Sequence, residues 1–421
     1  MVRLVGRGRF ALSLLWLVLL VGFAIRLALM PVPGFDVKDF QLWSKVIAEN
    51  GLAQAYDQHI YPEINYPPVS LYLFWVIGKT QMLLSSSTDE LKISPVLLKL
   101  LPILADAVTI VAMLAFLGKQ GAVARSQLPV WLGFYALNPA IIWNSAYWGG
   151  IDALDALFTI LALIFLVERR TVLAWAFAVL AVLTKPLAAP VLVPVVWITA
   201  TRERRRPLLE GIIAGAATTI VLYLPWLVDS RIGSVIEALR KNVGNYPYLS
   251  ANAHNFWWLV SGGDGWHPDN WPLPLVNFRV LGAIAVALAA CWTIRCLPPD
   301  AATPQVFHAS AYLLMALPVL STEAHENWVF AAFAPLSVAC VFEPRLRMVL
   351  SLSSMTFLIN LASHDPGLEA ALKHLVPASL FFSVRLANAL IATLVFAYWT
   401  TRLPSWFRAR QWHISCASNL R

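Results

Sequence analysis

A chain of 421 residues that is 59% hydrophobic and only 13% charged, with a mean hydropathy of +0.67, has too little polar surface to solvate a globule of its size. Composition excludes a water-soluble domain and requires a polytopic membrane protein. The net charge of +8 is not a nucleic-acid footprint, because Lys and Arg fall in short clusters between apolar runs, where they anchor cytoplasmic loops.

Apolar runs near the ~20 residues that cross a bilayer recur from end to end, and alternating strand patterns do not. Helices then satisfy the backbone in lipid, so the fold class is all-α. Spans are predicted near 10–30, 95–118, 128–143, 151–167, 171–185, 187–200, 207–228, 274–294, 305–322, 326–342, 346–363 and 379–400. The first follows Arg3, Arg7 and Arg9 as a signal peptide would. It is too long for an h-region and lacks a small-residue cleavage site, so it reads as a retained span.

The stretch 68–84 decides sidedness. If it crosses, Lys119, Arg125 and the Glu168-Arg169-Arg170 turn fall outside. If it lies along the outer interface, these residues fall inside together with Arg3, Arg7, Arg9, the cluster from Arg202 to Arg206, Arg295, Arg345, Arg347, Arg402, Arg408 and Arg410, as positive-inside placement requires. The opening Tyr66-Pro67-Pro68, the interruption at Gly78-Lys79 and the polar run 85–90 support the second arrangement. The chain is therefore expected to be one integral membrane domain, 1–421, of twelve spans with both termini and the tail 401–421 cytoplasmic. The outer side would collect 31–94, 144–150, 229–273, 323–326 and 364–378, and with them most acidic side chains.

The first outer loop carries Asp36, Asp39, Glu49, Asp57 and Glu63, a concentration of acid unusual for so apolar a chain. Asp36 lies just past the first span, at the level of a lipid headgroup. It could act as general base toward an acceptor hydroxyl, or cap a helix predicted from Phe40 to Asn50, where Asp39 is the better-placed cap. Asn138-Pro139 leads into an aromatic, glycine-bearing turn from Trp143 to Asp152. Asp152 there could bind ligand or simply favour a helix N-terminus, and its Trp and Tyr neighbours could be interfacial belt residues. Thr184-Lys185-Pro186 breaks a helix at membrane depth, which is tolerated where it lines a cavity, and leaves a cation that needs a partner or a role. Glu323-Ala324-His325-Glu326-Asn327 could join Lys185 in binding an anionic group, while His325 alone is more often a satisfied interfacial residue. Asp106 is expected to pair with a polar group of a neighbouring helix. Cys291, Cys296, Cys340 and Cys416 have no metal-ligand spacing, so neither metal nor cofactor is expected.

Gly34-Phe35-Asp36-Val37 with Trp43 and Gly51, Asn65-Tyr66-Pro67-Pro68, Leu137-Asn138-Pro139-Ala140 through Asp152, Thr184-Lys185-Pro186, Asn252-Ala253-His254-Asn255-Phe256-Trp257 and His325-Glu326 together resemble the GT-C glycosyltransferases, most closely bacterial relatives of the GPI mannosyltransferase 2 (PIG-V) type. The resemblance implies a conserved seven-helix module, here 10–228, with interfacial helices in its first outer loop. It also implies hexose transfer, with mannose the expected sugar, from a polyprenyl-phosphate donor to a lipid-linked or glycan acceptor hydroxyl at the outer face of a cytoplasmic membrane, with inversion. In that scheme Asp36 is the base. Lys185, His325 and Arg26 offset charge on the leaving phosphate, and Asp39, Tyr66, Trp148, Asp152, Asn252, Asn255 and Glu326 shape the substrate site. Three positions depart from the family pattern: Gly150 and Leu187, where Gln is common, and Asn327, where Arg is common. Each removes a polar contact. The rival readings are a lipid or sugar transporter or flippase, against which stands the absence of any repeat, and a non-catalytic subunit of a glycosylation complex, which the three departures favour.

Overall fold

The computed structural model describes residues 2–57, 64–85, 91–202, 205–242, 244–270, 276–372 and 374–408. Glu63, Arg410, Cys416 and the run 86–90 lie outside them. The chain opens with α1 (Val2–Leu29), α2 (Val37–Asn50), α3 (Pro68–Leu84), α4 (Pro95–Gly118), α5 (Gly121–Ala136), α6 (Pro139–Ile142), α7 (Asp152–Val167) and α8 (Thr171–Thr184). It continues with α9 (Leu192–Arg202), α10 (Arg205–Val228), α11 (Ile232–Lys241), α12 (Phe256–Val260) and α13 (Phe278–Cys296). It closes with α14 (Thr303–Leu320), α15 (Phe333–Phe342), α16 (Leu346–Ser363), α17 (Pro366–Leu372) and α18 (Ala378–Arg408). Isolated bridges such as Ala251 with His325 are the extended pairing among the described residues.

Burial follows sequence character. Helix α7 is apolar on every side and is buried on every side, packed against α4, α8, α14 and α15. Helix α10 is also apolar all round, yet Leu209, Ile213, Ile220, Val221 and Val228 stay exposed along it, as suits a helix long and apolar enough to cross a bilayer. Among the described residues, five helices are long and apolar enough to cross a bilayer: α4, α10, α13, α16 and the stretch Ala378–Phe407 of α18. Shorter apolar helices run over Ser13–Leu29, Thr171–Thr184, Pro186–Arg202 and Phe330–Phe342. An all-helical membrane protein is thus established, whereas twelve crossings require the shorter helices to cross as well.

Several expected boundaries move for local reasons. The interfacial helix begins at Val37 rather than Phe40, so Asp36 rather than Asp39 occupies the N-cap position. Asn138 splits the predicted 128–143 span, because its Oδ1 accepts the Ala140 amide at 3.0 Å and restarts the helix with Pro139 in the first turn. Pro186 stops α8, and the chain proceeds as a 3₁₀ turn over Pro186–Val191 before α9. Helix α3 packs on α2. Gly78 makes that approach possible, since a Cβ there would run into the backbone of Ser44 and the methyl of Ala48.

If α3 stays on the outer side, cysteines placed at Ser85 and Ser261 will react with an impermeant thiol reagent in intact cells, and one placed at Lys119 will not. Protection at Ser85 together with labelling at Lys119 would make α3 a crossing helix.

Candidate functional site

The site is assembled where five chain segments end on one side of the bundle. Pro31 and Pro33 stop α1, and the strap that follows is clamped by Lys99 of α4. The Lys99 ammonium donates to the carbonyl oxygens of Leu29 (3.2 Å), Val32 (2.7 Å) and Tyr147 (2.6 Å). Gly34 lies so close to the Tyr147 and Trp148 carbonyls that a side chain would collide with them. These contacts deliver Asp36 beside the aromatic turn. Its carboxylate makes no capping bond to α2, and Asp39 is exposed in the first turn of the same helix.

Within the turn, Trp143–Trp148 winds as a π-helix, Gly149 takes the left-handed conformation at φ +81°, and the Gly150 amide donates to Asn144 O at 2.9 Å. The position a Gly150 side chain would take is ringed by Asp152 Oδ2 at 3.1 Å, Asn144 Oδ1 at 3.2 Å and Asp36 Oδ2 at 3.2 Å. A Cβ there would press on all three, so the glycine, the first departure from the expected pattern, leaves the three side chains room to converge.

The broken helix supplies the cation. With α8 ended at Thr184 and Lys185 extended (φ −149°, ψ 126°), the Lys185 ammonium meets Asp152 Oδ1 at 2.5 Å. The other Asp152 oxygen accepts Asn144 Nδ2 at 3.1 Å and Asn327 Nδ2 at 3.3 Å. Asn327, where an arginine is common, thus enters the site as a neutral donor. The backbone around it is set by bonds from the amides of Ala251 and Ala253 to Ala324 O at 2.9 and 3.2 Å, which pin the 250s loop to His325 and Glu326. Behind these loops Arg279 grips both Asp269 oxygens at 2.9 and 2.8 Å and reaches Glu323 at 2.8 Å. Thr322 adds a bond to Asp269 at 2.8 Å.

Electrostatics follow from crowding acids in little water. Burial raises the Asp36 carboxyl to about 7, with Lys185 opposing and the charges of Asp152 and Asp39 adding to the shift. Burial also lifts Glu326 to about 7, and Asp36 adds to it. The His325 imidazole is pushed down to about 4 by burial and then by Lys185, so it is neutral. Tyr66 is raised by burial, against the pull of Lys185. A narrow cleft of about 40 Å³ runs from His325 and Glu326 between α14, α16 and α18, with Met315, Val319, Phe357 and Val395 along its walls.

Asp36, Tyr66, Asp152, Lys185, His325 and Glu326 therefore share one electrostatic neighbourhood. Arg26, Trp148 and Asn255 are bonded to residues outside this neighbourhood, and Asn252 to a residue within it. Arg26 is buried in an ion pair with Asp106 at 2.9 Å and donates to Ala136 O at 2.6 Å, because its place in α1 turns it toward α4 and α5. The pairing expected of Asp106 is thereby met, with Ser145 as a further donor at 2.7 Å. Trp148 donates to Asp365 at 2.6 Å. Asn255 caps α12 and donates to Pro318 O at 2.9 Å. Asn252 holds φ +73° and bonds Glu326. Lys99, Asn144 and Asp155 were not singled out in the sequence. Lys99 and Asp155 are charged side chains inside apolar spans, and that was the available signal.

The family model described as GPI transamidase subunit PIG-U matches residues 44–258. It replaces the GPI mannosyltransferase 2 relationship expected from the motifs. No curated protein matches the chain. The crystal structure of ArnT from Cupriavidus metallidurans bound to undecaprenyl phosphate is similar at 17% identity and a TM-score of 0.50, over 94% of this chain and 77% of that one. The likeness shows a GT-C-like fold. The oligosaccharyltransferase of Archaeoglobus fulgidus in the apo form is a more distant match, at 13% identity and a TM-score of 0.41 over 93% of this chain and 56% of that one.

Two outcomes follow from the geometry. Lys185→Met leaves Asp152 buried and unpaired and is expected to cost about 3–5 kcal/mol, which thermal unfolding of the purified variant will register; Lys185→Met combined with Asp152→Asn should regain most of the loss, and an unperturbed single variant would remove the pair from the stability account. The pH dependence has a fixed sign: an unfolded carboxyl ionises near 4 and Asp36 near 7, so the native state holds the extra proton between them and loses stability as pH rises through that window. Asp36→Asn should therefore raise the unfolding midpoint at pH about 8 and not at pH about 4, whereas parallel melting profiles would contradict the raised carboxyl.

Proposed function

The chain belongs to the family of GPI transamidase subunit PIG-U, and from that premise we propose that it is a non-catalytic membrane subunit that receives a lipid-linked glycan and presents it to a partner enzyme. Family membership carries the reading, and the state of the cations supports it. A leaving phosphate needs positive charge aimed at it as the bond breaks. Here Lys185 is held by Asp152 at 2.5 Å, Arg26 by Asp106 at 2.9 Å, and His325 is kept neutral. What the fold offers is a polar nest that shares His325 and Glu326 with the lining of an apolar cleft, the two kinds of surface that a lipid with a glycan head needs. The nest lies opposite the basic loops, so the ligand is met on the non-cytoplasmic face, in a twelve-span arrangement with both termini cytoplasmic.

A second reading, hexosyl transfer from a polyprenyl-phosphate sugar, is favoured by one observation. Asp36 has its carboxyl poised at about 7 beside Asp152 and Lys185, the condition of a general base at neutral pH.

The full chain purified in mild detergent is expected to carry partner proteins and a lipid-linked glycan, both identified by mass spectrometry, and to transfer no sugar from polyprenyl-phosphate mannose in a single-turnover assay. Transfer by the isolated chain that falls about 10²–10⁴-fold in Asp36→Asn would replace the subunit reading with the enzymatic one.

A further inference from the structure

Helix α10 holds 24 residues and is about 36 Å long, enough to cover the ~30 Å hydrocarbon core of a bilayer. It runs from the basic pair Arg205 and Arg206 to Val228, so Val228 stands at the opposite membrane boundary. There the chain turns at once. Ser230 is left-handed at φ 56°, and the Arg231 amide closes the helix on Trp226 O at 2.8 Å. Helix α11 therefore begins one tight turn beyond the end of a helix fit to cross a bilayer.

Protein covers only half of the apolar arc of α11. Val235 and Ala238 are buried and Leu239 is half-buried, whereas Ile232 and Ile236 are exposed, Ile236 to 55%. Ile232, Ile236 and Arg240 lie in one row along the helix, four residues apart. Single exposed isoleucines are ordinary. These two follow directly in the chain on Val221, Leu224 and Val228, which are exposed on one face of α10. The exposed charges of α11 are Glu237, Arg240 and Lys241. Lys241 pairs with Glu237 at 3.3 Å, which leaves Arg240 unmatched by any ion pair among the described residues. An apolar row that ends in a cation, set where acyl chains give way to headgroups, is complementary to a phospholipid surface, with carbon below and phosphate above.

We propose that α11 rests on the membrane surface, with Ile232 and Ile236 among the acyl chains and Arg240 on the phosphate of an anionic phospholipid. Both ends of the helix carry the consequence inward. At its start Arg231 pairs with Asp57 at 3.4 Å. Beyond its end Asn242 Nδ2 donates to Asn65 O at 2.8 Å, beside Tyr66, and the Gly244 amide donates to Glu323 at 2.9 Å, two residues before His325. Lipid under α11 thus sets the height at which both of these loops sit. The proposal stands whether the chain presents a glycolipid or transfers a sugar.

The test uses the full chain in nanodiscs of phosphatidylcholine, with or without phosphatidylglycerol. In a chain whose native cysteines are replaced by alanine, bimane on Ile236→Cys should be quenched by brominated phosphatidylcholine at least about twofold more than bimane on Asp264→Cys in the exposed loop before α13. Should that chain not fold, deuterium uptake by the native sequence decides the matter. Phosphatidylglycerol should slow exchange over 232–241 about fivefold relative to phosphatidylcholine alone, the weight of one basic residue at an anionic surface, and Arg240→Gln should remove the difference. Equal quenching of the two labels, or exchange indifferent to phosphatidylglycerol, would overturn the proposal. So would protection of 232–241 that appears only when another protein co-purifies, because a protein partner would then cover the row.

Discussion

A cation buried at membrane depth cannot be left alone, and the pairing of Lys185 with Asp152 at 2.5 Å is the constraint around which this end of the bundle is built. Pro186 denies α8 its next amide bond, so the chain leaves the helix at Lys185 and swings the ammonium across to the first turn of α7. The carbonyl of Thr184, freed by the same break, accepts Ser70 Oγ at 2.7 Å and so docks α3. Helix α3 in turn holds α2, and α2 begins at Asp36. On its remaining oxygen Asp152 collects Asn144 and Asn327, which ties in the aromatic turn and the loop after α14. One ion pair therefore sets the positions of segments far apart in the chain.

Two further devices keep the nest open and acidic. Lys99 spends its whole ammonium on three backbone carbonyls, acting as a rivet between α1, α4 and the π-helical turn and adding no free charge to the nest. Arg279 does the same for the outer loops with Asp269 and Glu323. Because the nearby cations are committed to structure, the acids of the nest face one another with a single neutralised ammonium between them, and burial holds Asp36 and Glu326 near 7. Such crowding of buried acids costs stability.

In this GT-C-like fold the acids gather in one nest, His325 and Glu326 also line an apolar cleft, and the nearby cations are committed to partners, Lys185 to Asp152 and Arg26 to Asp106. Gly150 and Asn327 belong to this same logic. The glycine admits Asp36 to the company of Asn144 and Asp152, and the asparagine offers Asp152 a donor without adding a charge.

Composition and hydropathy by themselves determined an all-helical membrane protein, because a backbone in lipid has few other ways to satisfy its polar groups. Local chemistry went further at particular residues. Pro186 announced the break in α8 and the charge at Lys185 the need for a partner, whereas the helix restart at Asn138, inside the span expected over 128–143, emerged only in the structure. Asp36, Tyr66, Asp152, Lys185 and His325-Glu326 were legible as candidates because each is a polar cluster in an apolar setting, and the structure brings them into one neighbourhood. Which partner each takes was decided only by tertiary structure. Arg26 and Lys99 look alike in sequence as cations near the ends of apolar spans, yet one is locked to Asp106 and the other to three carbonyls. Asp36 and Asp39 differ by three positions, and the helix start at Val37, fixed by the strap that Lys99 clamps, turned one inward and left the other in solvent. A side chain's partner depends on segments that approach through space, and spacing along the chain does not encode that approach.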